Sequence, residues 1–352
     1  MVAARAGGRQ EVRRVARCWQ TVWRARSMGS AFSRSAAAVD MNGTGSNGTS
    51  WRVSTRAWHL AQAQVPDLMR RVPAEHRRLC HNVLSGSNEP GFSQAWQDWF
   101  MYRNLFAGQL SGLYVDIGTN DALAISNTAF FDVCLGWAGV CFEPSSAYHG
   151  AILRKRSCRL SQHCVLGQAA NVTMSREGTN LGRVTEATND AASTHSCVRF
   201  SDEIARLGFS GRTIDLLSID IEGSESSVLR CMPWKDVDIR AVLIETNRVI
   251  NLAELDLFFH NHGYLNIASL VLGDGMGLLD NLYVKIPGGP LITPQGKPTC
   301  TPNDKKRNKF CAPYGKWAWG AAITQQHPWG PCPLERPPSR GSATKNNRAR
   351  PS

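Results

Sequence analysis

Acidic and amide side chains gather in four short stretches of this chain: Asp116, Gly118, Asn120 and Asp121; then Glu143; then Asp220, Glu222 and Glu225; then Glu245 with Asn247. Each stretch follows an apolar run. Carboxylates so placed can accept hydrogen bonds from a diol, hold a cation, or take a proton from a hydroxyl. They would repel a phosphate, and the glycine-rich signatures of phosphate binding are missing. Asp116 is followed by a turn with a single glycine, Gly118, and no Walker A sequence occurs. One such acid alone would read as a helix cap. Acids after four separate apolar runs point instead to a binding cleft.

The apolar runs predict the elements that must position these residues. Leu113–Ile117 reads as a short buried strand ending at Gly118, and Ala122–Leu135 as a helix with Phe130, Phe131, Val133 and Cys134 on its apolar side. Gly139–Phe142 is a second strand, followed by a helix over Ser145–Ser157 that opens on a serine cap. His163–Leu166 is a third strand, and Ile214–Ile219 a fourth, apolar enough to be covered on both faces. A helix over Ser224–Arg230, a fifth strand over Arg240–Ile244 and a helix over Leu252–His262 follow. Tyr264–Leu272 and Leu282–Lys285, separated by Gly273, Asp274 and Gly275, form an antiparallel hairpin. The pattern is an α/β fold: a Rossmann-like, doubly wound, mostly parallel sheet with a C-terminal antiparallel hairpin. Such sheets bind ligands beyond the carboxyl ends of their strands, where the acids lie.

S-adenosyl-L-methionine suits that edge. It has no phosphate, and its sulfonium, its ammonium and its ribose diol all favour carboxylates. Glu143 is placed to accept the ribose hydroxyls, and Asp116 to orient the first turn and bind the ammonium. Gly118 lets the backbone approach the methionine moiety where a Cβ would collide. Methyl transfer to a hydroxyl needs alignment and a base, and Asp220 and Glu222 are the candidate bases. Glu222 and Glu225 read equally well as acids favoured at a helix N-terminus. Asp220 with Glu245 and Asn247 has, by position alone, the form of an oxygen set for Mg²⁺; no metal is assigned.

Several blocks resemble the FkbM-type methyltransferases. They are QAWQDWFMYRNLF (Gln94–Phe106), GLYVDIGTNDALAISNT (Gly112–Thr128), LGWAGVCFEP (Leu135–Pro144), IDLLSIDIEGSE (Ile214–Glu225) and DNLYV from Asp280. The resemblance covers roughly residues 92–286. It implies a class I fold using S-adenosyl-L-methionine, typically to methylate a hydroxyl oxygen of a small molecule, a sugar or a lipid-linked glycan. Carried over by position, Asp116, Gly118, Asn120 and Asp121 form the first cofactor loop, Glu143 the ribose contact, and Asp220 the acid near the transferred methyl. Two departures stand out. Ala122 occupies a position where many members have glycine, and Asn171–Ser196 is loosely patterned, so the adenine contact is not located and Asp190 is not assigned the role.

The formal charge is +12, but residues 1–60 carry +8 and residues 291–352 carry +9, which leaves the middle of the chain at −5. An acidic core with Ile221-Glu222-Gly223 after Asp220 argues against a nucleic-acid substrate. No run is apolar enough to span a membrane. The expected organisation is a basic N-terminal extension (1–60), a helical lead-in (61–111), the methyltransferase domain (112–290) and an irregular basic tail (291–352). Val12, Val15, Trp19, Val22 and Trp23 recur at helical spacing among arginines in Arg9–Arg26. This segment reads as a mitochondrial or plastid transit peptide, a membrane-surface helix or an unstructured basic extension. Without targeting, the compartment would be the cytoplasm. Trp96, Trp99, Phe100 and Tyr102 share a helix face, as core or as a wall for the acceptor. The eleven cysteines include no C-x-x-C pair, so zinc is not indicated. Cys158 and Cys164 read as buried free thiols rather than a bridge. Cys300, Cys311 and Cys332, with Trp317, Trp319 and Trp329, suggest a partly ordered appendage on the domain. The reading that competes with an enzyme is a non-catalytic binder of the same fold, or a scaffold at a membrane surface.

Overall fold

A computed structural model of the chain describes residues 55–87, 89–175, 183–185, 193–246, 251–272, 277–285, 292–295, 309–311, 316–319 and 332. Arg9–Arg26, Asp190, Asn247, Cys300 and Trp329 lie outside these residues.

Before the sheet come α1 (Thr55–Arg71), α2 (Arg77–Ser85) and α3 (Gln97–Met101), the last running into a π-helical turn, Tyr102–Phe106. Then follow β1 (Leu113–Ile117), α4 (Ala129–Val133), β2 (Ala138–Phe142), α5 (Ser146–Lys155), β3 (Arg159–Ser161), β4 (Cys164–Leu166), β5 (Ala170–Ser175), β6 (Arg183–Thr185) and β7 (Ser193–Arg199). After them come α6 (Phe200–Arg206), β8 (Ile214–Ile219), α7 (Glu225–Cys231), β9 (Ile239–Glu245), α8 (Leu252–Asn261), β10 (Tyr264–Leu272) and β11 (Gly277–Lys285). The tail adds β12 (Ile292–Gln295), β13 (Lys309–Cys311) and β14 (Lys316–Trp319).

The main sheet has the order β13-β10-β11-β9-β8-β1-β2-β3. Strands β3, β2, β1, β8 and β9 run parallel. Strand β11 enters antiparallel between β9 and β10. This is the Rossmann-like sheet with a terminal antiparallel hairpin that the sequence predicts. The order reverses between β1 and β8, which opens a crevice at their carboxyl ends.

Side chains alternate across each strand and divide the core in two. Val115, Ile117, Leu217, Ile219, Val242 and Ile244 pack with Ile204, Val228, Leu255 and Phe258 of α6, α7 and α8. Tyr114, Leu216, Ala241, Leu243 and Leu282 face the other way, onto the lead-in residues Val83, Leu84, Met101 and Phe106 and onto Phe130. Of the aromatic stretch, Trp99, Phe100 and Tyr102 serve the core, Tyr102 lying edge-on to Phe130 at 5.2 Å between centroids, whereas Trp96, at φ +65°, precedes α3 and does not share its face.

Several sequence expectations need correction. The helix expected from Ala122 is confined to Ala129–Val133, because Asp121 Oδ1 accepts the N–H groups of Leu123 and Ala124 in a tight turn and Ile125 adopts φ +57°. The third strand of the main sheet is β3, not His163–Leu166. Its polar sequence hid it at the sheet edge, while Cys164–Leu166 joins β7, β5 and β6 in a second sheet built from the loosely patterned stretch. Ser145 precedes α5 without a side-chain capping bond. The tail is more regular than expected, since β13 extends the main sheet and β12 pairs with β14. Cys158 and Cys164 are not thiols: Cys158 is bonded to Cys141 and Cys164 to Cys197. Cys332 is bonded to Cys231 at the end of α7, which anchors the appendage expected there.

Candidate active site

Three loops are laced together at the carboxyl edge. The N–H groups of Gly118 and Thr119 both donate to the carbonyl of Phe142, at 3.0 and 3.1 Å, and the N–H of Asp220 donates to Ile117 at 3.0 Å. Gly118 has φ +88°, and a Cβ there would overlap the backbone carbonyl of Asp220. The glycine is thus required by the crossing of the β1 and β8 loops, which is a different neighbour from the ligand expected from sequence.

Glu143, buried at the end of β2, accepts from Asn120 N–H at 2.7 Å through Oε2 and from Ser145 N–H at 2.8 Å through Oε1. Asn120 stands at φ +56°, so the first loop is bent around this carboxylate. The same loop holds a buried acceptor, Asn127 Oδ1, with no hydrogen-bond partner among the described residues. Asp116 lies on the lead-in face of β1. One of its oxygens accepts from Thr128 Oγ1 at 2.6 Å, and burial raises its pKa against the pull of Arg156.

Arg156 was not visible as a functional residue in the sequence, where it ends a basic run. Its side chain is fully buried and pairs with Asp132 at 2.7 Å. It also donates to Ala122 O at 3.1 Å, Ser126 Oγ at 3.2 Å and Thr128 Oγ1 at 2.7 Å. Tyr114 donates to the same Asp132 at 2.6 Å, under the guanidinium. This one side chain holds both ends of the loop that carries Ser126, Asn127 and Thr128.

The strongest concentration of acid is at the ends of β8 and β9. Leu216, Leu243 and Leu282 mark the lead-in face, and the parity of each strand puts Asp220, Glu245 and Asp280 on that face as well. Asp280 is the antiparallel register partner of Glu245. In the sequence Asp280 stands out only as the start of a strand, and Gln97 carries no signal of a role. Gln97 Nε2 donates to Asp280 Oδ2 at 2.8 Å, between residues 183 apart in sequence, while its Oε1 accepts from Ala95 N–H at 2.7 Å. Glu222 has φ +57° in the loop after β8, ahead of α7. Asp220, Glu222 and Glu245 each bring a carboxylate oxygen within 4.8 Å of the others. Glu225 is occupied elsewhere: its Oε1 accepts from Ile221 and Gly223 N–H at 3.1 and 3.0 Å and braces the loop. An oxygen-only set of this kind suits a hard divalent ion or an organic cation.

Burial raises the pKa of Asp220 to about 7, with Glu222, Glu225 and Asp116 adding to the rise and a hydrogen bond from Glu245 opposing it. Burial, then Asp220 and Glu222, push Glu245 far above the ordinary carboxylate range. Glu245 keeps a proton and donates it to the Asp220 carboxylate. Asp280 is raised to about 8, by burial and then by Asp220. The sign of the stability effect follows. The folded chain holds protons that an unfolded carboxylate releases near pH 4, so this stabilisation is complete below about pH 4 and is lost as pH rises through about 7 for Asp220. The ligand-free protein is expected to melt at progressively lower temperature from pH 5 to pH 8, and Glu245→Gln to flatten that slope. A wild-type profile without the slope would show that burial does not hold protons on these acids.

Residues 116–265 match the family model described as the methyltransferase FkbM domain. Among solved structures, the chain is similar to a crystal structure of precorrin-6y C5,15-methyltransferase from Geobacter metallireducens GS-15, with 11% identity, a TM-score of 0.27, and coverage of 50% of this chain and 81% of that one. That likeness is too slight to bear on the chemistry. No curated protein sequence matches the chain. No helix among the described residues is long and apolar enough to cross a membrane. Asp116 to Leu265 thus match a methyltransferase FkbM domain, and this domain match supports a methyltransferase.

Proposed function

We propose that the protein uses S-adenosyl-L-methionine to methylate a hydroxyl oxygen on a small molecule, a sugar or a lipid-linked glycan. The observation that carries this reading is the acid cluster of Asp220, Glu222 and Glu245 beside the Gly118 loop and Glu143, at the reversal point of the sheet. Bound at this edge, S-adenosyl-L-methionine would supply an electrophilic methyl group. Glu143 would accept the ribose hydroxyls through its carboxylate. The loop Gly118–Asp121 would line the methionine moiety, with Asp116 holding the turn through Thr128. Asn127 Oδ1 is a buried acceptor on the same loop, fitting a ligand with ammonium and hydroxyl donors.

Asp220 is the proposed base. With a pKa near 7 it is substantially ionised at neutral pH and still basic enough to take a hydroxyl proton. The proton on Glu245 orients it, Glu222 adds negative potential for a cationic donor, and Asp280, fixed by Gln97, closes the acid group.

Calorimetric titration of the full chain with S-adenosyl-L-methionine and with S-adenosylhomocysteine tests the reading. Saturable binding is expected. Glu143→Gln should weaken it by about tenfold or more, the scale of a lost charged hydrogen bond, with the melting temperature recorded alongside because Glu143 also holds Asn120 and Ser145. Absence of binding by a cooperatively folded wild-type chain would leave the non-catalytic alternative. Once binding is established, a panel of sugar, lipid-linked and small-molecule alcohols, read by S-adenosylhomocysteine release, would identify the acceptor.

A further inference from the structure

Among the described residues, four disulfides are formed: Cys80–Cys134, Cys141–Cys158, Cys164–Cys197 and Cys231–Cys332. Each ties together different parts of the fold. Cys80 of α2 meets Cys134 at the end of α4, fastening the lead-in to the domain. Cys141 of β2 meets Cys158 just before β3. Cys164 and Cys197 are register partners in β4 and β7. Cys231 meets Cys332 of the tail, across a sequence separation of 101 residues. Gly167 is packed so closely on this last bridge that a Cβ there would overlap Cys231 Sγ. A chain of this length with two well-formed hydrophobic cores does not need such bonds to make up for a small core. Structural disulfides persist where the surroundings are oxidising, and are rare in the cytosol. That conflicts with the cytoplasmic expectation from sequence and with a reducing organelle matrix.

A second observation is independent of the cysteines. Asn171, Val172 and Thr173 form an Asn-x-Thr sequon within β5. Asn171 is exposed, and its cross-strand partner in β7, Ser196, is exposed too, so this face of the second sheet is open to solvent. The sheet's order, β4-β7-β5-β6, is separate from the main sheet that carries the candidate site.

We propose that the chain matures in an oxidising, glycosylating secretory lumen and carries an N-linked glycan on Asn171. The donor for this modification is an oligosaccharide linked through pyrophosphate to a polyisoprenoid lipid. A bond forms between the Asn171 amide nitrogen and the anomeric carbon, the bond from that carbon to the pyrophosphate oxygen breaks, and the amide proton leaves with the lipid pyrophosphate. Each disulfide forms as two thiols lose two protons and two electrons to a protein disulfide of the lumenal thiol-oxidoreductase class. Neither step depends on the methyltransferase reading.

The test is peptide mapping of the full chain purified from the cells that make it, kept non-reduced, with glycan release in heavy-oxygen water. Four linked cysteine pairs and conversion of Asn171 to heavy-oxygen-labelled Asp are expected. Thr173→Ala, which leaves Asn171 in place, should abolish the label, and Thr173→Ser should retain it. Linked cysteines with an unlabelled Asn171 would overturn the glycan. Free thiols at Cys141, Cys158, Cys164 and Cys197 in the native protein would overturn the compartment with it.

Discussion

Replacing Arg156 by Met is expected to lower the unfolding free energy by about 3–5 kcal/mol, the usual penalty for removing one partner of a buried ion pair. The side chains of Arg156 and Asp132 are 0% and 2% exposed, so water cannot take over the lost charge. Asp132 would keep Tyr114, Ser157 N–H and Ser157 Oγ as donors, but no cation. Asp116 would lose the positive charge that offsets its burial. Ala122 O would lose its guanidinium partner as well, so the loop through Ser126 and Thr128 should loosen together with the fold. Lysine should not rescue the loss, because one ammonium cannot reproduce the planar fork that reaches Asp132, Ala122, Ser126 and Thr128 together. Urea unfolding of Arg156→Met, Arg156→Lys and the double variant with Asp132→Asn measures this. The double variant should recover part of the loss, because it removes the stranded charge. Wild-type stability in Arg156→Met would mean that the buried ion pair makes no net contribution to the fold.

Gly118→Ala is expected to abolish cofactor binding and to lower stability by roughly 2–5 kcal/mol, adding the penalty of a left-handed backbone at a residue with a side chain to that of overpacking. The new methyl would meet the Asp220 carbonyl, and the peptide cannot swing aside because Asp220 N–H is bonded to Ile117 O at 3.0 Å. Asp220 and the acid group would be displaced along with the loop that Asn120 ties to Glu143. Calorimetry with S-adenosyl-L-methionine and a thermal melt together check the prediction. Normal melting with lost binding would mean that the methyl meets the ligand rather than Asp220, restoring the reason that sequence alone suggests.

Much of the fold was legible because its signals are local. Strands β1, β2, β8 and β9 are short apolar runs buried on both faces, and such runs end where acids and glycine begin. The β10–β11 hairpin was legible for the same reason. Strand β3 was not, because an edge strand reading Arg159-Leu160-Ser161 has no apolar signature, whereas the neighbouring Cys164-Val165-Leu166 has one and belongs to another sheet. The helix expected from Ala122 failed because the turn at Asp121 and the left-handed Ile125 outweigh its helical periodicity.

From residue types and spacing alone, the sequence determined a doubly wound sheet, an acid-lined carboxyl edge, and Asp116, Gly118, Glu143 and Asp220 at its strand ends. Helix and strand periods, and the residues that stop them, act over a few neighbours and need no knowledge of the chain's path. Only the tertiary structure decided that Gln97 fixes Asp280, that Arg156 is buried against Asp132, that Glu225 braces a loop while Glu222 joins the acids, and which cysteines pair. Those partners lie between 2 and 183 residues apart. Their meeting, and the burial that shifts their protons, depends on how the two faces of the sheet are covered, a property of the folded chain that no local pattern encodes.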